Sequence, residues 1–267
     1  MTLGRPTRVA LTIVTVLILV FIYVPIALIF LYAFNDAPTA AWPPKGLTLD
    51  WFGVALANTA LQQAFVTSIA VALGATVIAL ALGTLAAMAV SRYSFFGRET
   101  ISFIVIFPIA LPGIVTGIAL LTAFAAFDFP LGMFTVIIGH ATFCIVLVYN
   151  NAIARLRRTA QSFEEASADL GAHTFQTFRF VTFPALRTSL MAGALLAFAL
   201  SFDEIIVTLF VAGGIKTLPV WIFQSFRLAN QVPVVNVAGM FAILLSVIPV
   251  YIATRLSAGD DVAGARG

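Results

Sequence analysis

The stretch Phe163–Leu186 reads FEEASADLGAHTFQTFRFVTFPAL, and its polarity sets it apart from the apolar runs on either side. Ser162 followed three positions later by Glu165 has the spacing of a capping box, which predicts a short helix from Phe163 to Leu170. Glu164, Glu165 and Asp169 lie on its polar faces. Gly171 is placed to end that helix, because a C-terminal turn favours positive φ. A second helix is expected from HTFQTFRFVTF, with Phe175 and Phe178 at helical spacing, before Pro184 opens the next apolar run. The predicted helix–turn–helix exposes carboxylates and phenylalanines that have no partner in the chain. It is either an ordinary amphipathic loop or a docking knob for another protein.

The flanking sequence says where such a knob would sit. Of 267 residues, 61% are hydrophobic and 9% charged, with a mean hydropathy of +1.08. A soluble domain carries roughly 25% charged residues, so this composition excludes a water-exposed globule and implies one membrane domain. The net charge of +3 is too small and too dispersed for a nucleic-acid surface. Cys144 is the single cysteine, which excludes an internal disulfide and a cysteine-only metal cluster.

A helix needs about 20 mostly apolar residues to cross the hydrocarbon core. Six segments qualify: 9–34, 62–90, 101–126, 131–152, 188–212 and 235–256. The first follows Arg5 and Arg8, but its apolar run is longer than a signal peptide's core and reads as a retained helix. With the N-terminus in the cytoplasm, that side receives eleven Lys and Arg residues. The opposite side receives three: Lys45, Lys216 and Arg227. The positive-inside rule then predicts both termini, and the 163–186 segment, on the cytoplasmic side.

Within the spans, Ala79, Gly83 and Ala87, and likewise Gly113 and Gly117, recur at four-residue spacing and permit close helix approach. Pro108 and Pro112 in FPIALPGIVTG remove backbone donors one turn apart and are expected to kink or break the third span. Irregular backbone at membrane depth is tolerated inside protein or beside a wet cavity; a translocation path and plain packing irregularity are the two readings. Trp51 and Phe52 in Thr48–Asn58 suggest a short interfacial helix. The tail from Ser257 is small and polar and is expected to be disordered.

The central segment resembles the EAA loop of permease subunits of ATP-binding-cassette importers. That pattern is Glu-Ala-Ala, three residues, Gly, nine residues, Ile-x-Leu-Pro. Here Glu165, Ala166 and Ser167 fill the first places, Gly171 the glycine place, and Val181, Phe183 and Pro184 the last. LTLDWFGVALAN, FPIALPGIVTGIALL, LSFDEIIVTLFVAG and TLPVWIFQSFRL extend the resemblance to the second permease of the spermidine/putrescine importer group.

The resemblance implies an all-α type I importer fold in a bacterial inner membrane. Residues 1–58 would form the first helix and a periplasmic loop, 59–256 the permease domain with its coupling loop at 153–187, and 257–267 the tail. It further implies a second permease subunit, two copies of an ATPase and a periplasmic binding protein. Glu164, Glu165, Ala166, Ser167, Asp169, Gly171, Phe175 and Pro184 would form the ATPase-coupling element, with Glu165 making the polar contact and Gly171 the turn.

The chain's own chemistry agrees. A phosphate-binding loop ends in Gly-Lys-Ser/Thr, whereas Lys45 follows Pro44 and Lys216 follows Ile215. Nucleotide is therefore expected on another chain, with no cofactor and no catalytic residue on this one. His140 and His173 have no second ligand at helical spacing, so no metal site is expected. Asp203 and Glu204 in SFDE fall in the outer half of the fifth span, where carboxylates are costly. They read as cation-attracting walls of a substrate path, together with the Pro108–Pro112 kink, or as half of a structural pair with Arg227, Lys216 or a partner permease. The leading function is a polyamine importer permease. The same architecture for another small solute, such as an opine, aminophosphonate or metal chelate, and a self-sufficient secondary transporter are the alternatives.

Overall fold

The computed structural model describes residues 4–40, 42–228 and 231–264. They form helices throughout, with one isolated antiparallel bridge, Asn35–Leu47. The chain divides into two compact units, residues 1–62 with 222–243, and 63–221 with 244–267.

In the first unit, α1 (Arg5–Ala33) is apolar on every face and buries only Ala33. The loop after it is tied down at Asn35, whose carbonyl accepts the Trp51 indole N–H at 2.9 Å. Trp51 lies on α2 (Asp50–Ala57), the expected interfacial helix. Its neighbour Phe52 packs between Phe34 and Phe241, with ring centroids 5.0 and 6.3 Å away. The aromatic pair therefore does more than float at an interface; it closes the loop.

In the second unit, α3 (Thr59–Arg92) lies against α6 (Met133–Arg158). A Cβ on Gly83 would come within 2.9 Å of the Ile145 carbonyl and 3.0 Å of Val148, while Ala79 and Ala87 are fully buried. The four-residue spacing of small residues thus marks a true backbone approach, where the absence of side-chain bulk gains packing contacts. On its other side α6 meets α9 (Phe183–Phe202), where a Cβ on Gly193 would lie 3.2 Å from Val148 Cα.

The expected third span is two helices. α4 (Arg98–Ala110) and α5 (Gly113–Ala126) are bent by 110° at the break. Pro112 forces Leu111 into an extended conformation, φ −80° and ψ 141°. The Pro112 carbonyl then starts α5 by accepting from Val115 at 2.9 Å and Thr116 at 3.1 Å. Each half, at 1.5 Å per residue, is about 20 Å long and too short to cross alone. Gly113 and Gly117 face α10 (Ile206–Val211), where a Cβ on Gly117 would overlap the Phe210 ring.

Around the central segment the boundaries also shift. The first short helix is α7 (Ser162–Asp169), and Ser162 is not its cap. The helix starts one residue earlier, with the Gln161 carbonyl accepting from Glu164 and Glu165, and no side-chain cap forms. The second, α8 (Thr174–Thr177), does not stop before the fifth span. A π-helical turn, Phe178–Thr182, joins it to α9, and the Phe183 N–H reaches back five residues to the Phe178 carbonyl. Pro184 sits at the second position of α9, where a missing N–H does least harm. The fifth span was expected to run to 212, but α9 ends at Phe202, and the chain is unwound at 203–205 before α10.

Two helices complete the fold: α11 (Leu218–Ser225) and α12 (Val232–Gly264). α12 continues to Gly264, through most of the tail expected to be disordered; residues 265–267 lie outside the described residues. Five helical runs are long and apolar enough to cross a membrane, and the bent α4–α5 pair makes six.

Candidate functional site

Two places bring the singled-out residues together. The first is the α7–α8 hairpin. Gly171 has φ +86°, and the Ala172 N–H reaches the Ser167 carbonyl at 3.1 Å while the Gly171 N–H reaches that of Ala168 at 2.9 Å. This pair of bonds is a Schellman motif, which uses the orphan carbonyls of the helix end. On the far side the Gln176 side chain accepts the His173 N–H at 3.0 Å, and Ser167 Oγ pairs with Thr177 Oγ1 at 3.1 Å. The hairpin is held by its own polar groups.

Glu164 anchors it to the rest of the unit. Its carboxylate takes Arg92 Nε at 3.0 Å and the Thr182 hydroxyl at 3.1 Å, and Arg92 also donates to the Leu156 carbonyl at 3.4 Å. One ion pair, 11% and 20% exposed, thus ties α7 to the ends of α3 and α6 and to the π turn. Glu164 therefore faces inward, apart from the outward carboxylates with which the sequence grouped it. Glu165, Ala166, Asp169 and Gly171 are exposed, and Ser167 is half-buried. Phe163, Leu170 and Phe175 are 63%, 89% and 63% exposed. Large apolar side chains that face outward beside exposed carboxylates make the hairpin a candidate interaction surface.

The second place is a cavity of about 510 Å³ at the α9–α10 break, lined by Ile109, Leu147, Leu200, Asp203, Glu204 and Ser246 among others. The two carboxylates behave differently. Glu204 Oε1 accepts the Val207 N–H at 2.9 Å, which caps α10. The Asp203 carboxylate is exposed and makes no hydrogen bond or ion pair among the described residues. Within this unit no pair with Lys216 forms among the described residues. Pro108 and Pro112 do not line the cavity; Ile109, between them, does.

His140 is a functional candidate that periodicity missed. It is fully buried, with Nδ1 2.8 Å from Ser201 Oγ and Nε2 2.8 Å from Thr208 Oγ1. Its partners lie 61 and 68 residues away, beyond any local spacing rule. The available signal was a pair of hydroxyls seven residues apart, Ser201 opening SFDE and Thr208 four residues beyond it. No group of three or more metal-ligating side chains occurs among the described residues.

The described residues thus form a multi-pass helical fold with a carboxylate-bearing cavity at a helix break. The chain belongs to the family of binding-protein-dependent transport system inner membrane components, which it matches over residues 79–259. It is 34% identical over 217 residues to the Escherichia coli K12 putrescine transport system permease protein PotI, covering 78% of this chain and 76% of that one. It is 31% identical to the Escherichia coli K12 spermidine/putrescine transport system permease protein PotC over 249 residues, 92% and 93% of the two chains. The Mycoplasma pneumoniae PotC homolog is 29% identical over 259 residues, 90% and 87% of the two chains.

Among solved structures, a bacterial ABC transporter involved in import of the acidic polysaccharide alginate superposes with a TM-score of 0.69. The match covers 97% of this chain and 99% of that one at 20% identity. The MetNI methionine ABC transporter, in inward-facing conformations, gives a TM-score of 0.57 at 18% identity, covering 82% and 99%. These two likenesses establish the importer permease fold and carry nothing about cargo. The protein is a multi-pass inner-membrane permease component.

Proposed function

We propose that this permease forms half of the translocation path of an ATP-driven importer for polyamines. The observation that carries the cargo is the unpaired Asp203 carboxylate in the cavity of about 510 Å³. A carboxylate in low dielectric attracts an ammonium more strongly than one in water, and the PotI and PotC relatives are named for putrescine and spermidine. The partners are an ATPase homodimer, a second permease subunit and a periplasmic binding protein. ATP is bound and hydrolysed by the ATPase, with no cofactor on this chain. The exposed hairpin supports the coupling reading: Glu165, Asp169, Phe163, Leu170 and Phe175 form the docking face, and Gly171 shapes it. Ala166 and Ser167 keep the approach low.

Reconstitution tests this reading. Proteoliposomes holding the full complex should accumulate radiolabelled putrescine only with ATP inside and loaded binding protein outside. Uptake without ATP would overturn the ATP-driven reading. ATP-dependent uptake of an anionic solute, with none of putrescine, would overturn the cargo.

The orientation is part of the proposal, with both termini and the hairpin cytoplasmic. It rests on the eleven-to-three distribution of basic residues. Single cysteines placed at His173 and Trp51 in a Cys144→Ala background should differ in intact cells. A membrane-impermeant thiol reagent that crosses only the outer membrane should label the Trp51 position and leave the His173 position unlabelled. The reverse pattern inverts the topology.

A further inference from the structure

The buried hydrogen bonds around His140 form a chain that runs from Ser201 through the ring and Thr208 to the Glu204 carbonyl. The Thr208 hydroxyl also lies 3.0 Å from the Glu204 carbonyl, so one oxygen joins the ring to the backbone of the break. Every donor finds one acceptor when the ring is neutral. An imidazole fully removed from solvent and bonded at both nitrogens could be an ordinary packed core histidine, and its contact with Phe143 at 5.5 Å between centroids fits that role.

What distinguishes it is where it holds. Ser201 lies on α9 two residues before Asp203, and Thr208 lies on α10 four residues after Glu204. The ring thus clasps the chain on both sides of the unwound 203–205 stretch. Unwinding there frees backbone groups that need partners at membrane depth. The Glu204 carboxylate takes the Val207 N–H and the Glu204 carbonyl takes Thr208. At 3.6 residues per turn, each residue that rewound onto α9 would swing the following side chains by about 100°. The direction of the Asp203 carboxylate therefore depends on the break staying where it is.

We propose that His140 is a positioning residue for the cation path: by holding Ser201 and Thr208 it fixes the α9–α10 break and aims Asp203 into the cavity. This rests on the reading of Asp203 as the contact for a cationic cargo. Glu204, in the same assignment, acts as the cap of α10, and its carboxylate is committed to backbone.

The test uses the whole reconstituted transporter with His140→Phe, His140→Asn and Asp203→Asn, singly and combined. Putrescine uptake is measured at saturating loaded binding protein, so that the rate reads passage rather than capture. ATP hydrolysis and thermal stability are read on the same samples. His140→Phe keeps the ring and loses both bonds; its uptake should fall about tenfold, as when an orienting partner is removed from a liganding group, with the ATPase rate retained. His140→Asn keeps a donor and an acceptor and should recover part of the loss. In the Asp203→Asn background, the histidine substitutions should add nothing further. Independent, multiplying losses would overturn the proposal, as would unchanged uptake in His140→Phe. Should His140→Phe fail to assemble, His140→Asn against Asp203→Asn carries the same comparison. Unchanged uptake in Asp203→Asn alone would instead overturn the cation-contact reading and the positioning role of His140 that depends on it.

Discussion

Gly171→Val is expected to abolish transport while leaving the helices of the membrane fold in place. A Cβ at Gly171 would meet nothing within 4 Å, so space is not the constraint. The constraint is φ at +86°, a region costing a non-glycine residue roughly 1–2 kcal/mol and a β-branched residue more. The two Schellman bonds would be lost with it, and α7 would no longer fold back onto α8. Gly171→Asn, which tolerates this φ better, should retain most activity. Glu165→Lys is expected to act at the same surface by another route. Glu165 is exposed and has no ion-pair partner among the described residues, so reversal costs the fold little. In a desolvated contact, loss of a charge partner costs about 2–5 kcal/mol, which is at least about thirtyfold in ATPase affinity. Co-purification with the ATPase and uptake by proteoliposomes read both variants. Normal assembly and uptake in both would remove the hairpin from the coupling role.

Neutralising the cavity should separate its two carboxylates. Asp203→Asn is expected to lower putrescine uptake about tenfold, because it removes an unpaired charge lining the cavity, worth about 1.4 kcal/mol at the barrier. Complex stability should hold, since the Asp203 carboxylate makes no hydrogen bond or ion pair among the described residues. Glu204→Gln keeps an acceptor for the Val207 N–H and should be mild. Glu204→Ala removes the cap of α10, at about 1 kcal/mol, and should reduce thermal stability along with uptake. A matching loss from Asp203→Asn and Glu204→Gln, with stability intact in both, would restore both residues to the wall. Loss of stability in Asp203→Asn would favour a structural role.

Hydropathy and spacing carried the reading a long way, for identifiable reasons. Apolar length reports a span regardless of tertiary contact, so all six segments were legible. A glycine at a fixed distance from Glu-Ala-Ser reports local backbone, and Gly171 sits at positive φ as that distance requires. Pro108 and Pro112 announced a break. Their sequence could not give its angle of 110°, which is set by how Gly113 and Gly117 pack on Ile206 and Phe210. The inward turn of Glu164 was hidden because its partner, Arg92, lies 72 residues away. The failed cap at Ser162 has a local cause: the Gln161 carbonyl already serves the first donors of α7. The unwound 203–205 stretch was lost inside a run whose average hydropathy looked helical throughout.

The helical run from Thr174 to Phe202 joins the hairpin directly to the cavity. It is 29 residues of unbroken helix, about 40 Å of stiff rod, with the exposed Phe175 near one end and Asp203 just past the other. A loop between the docking hairpin and the span would absorb a push by changing its own torsions. Here the π turn keeps the backbone bonded through Pro184, so that slack is missing. A tilt imposed at α8 is carried as a lever stroke to the first place the chain can yield, residues 203–205. That place is also where the acidic cavity opens. A motor pulling on the hairpin would therefore spend its stroke on re-aiming one carboxylate, and cargo release becomes a question of where the rod ends.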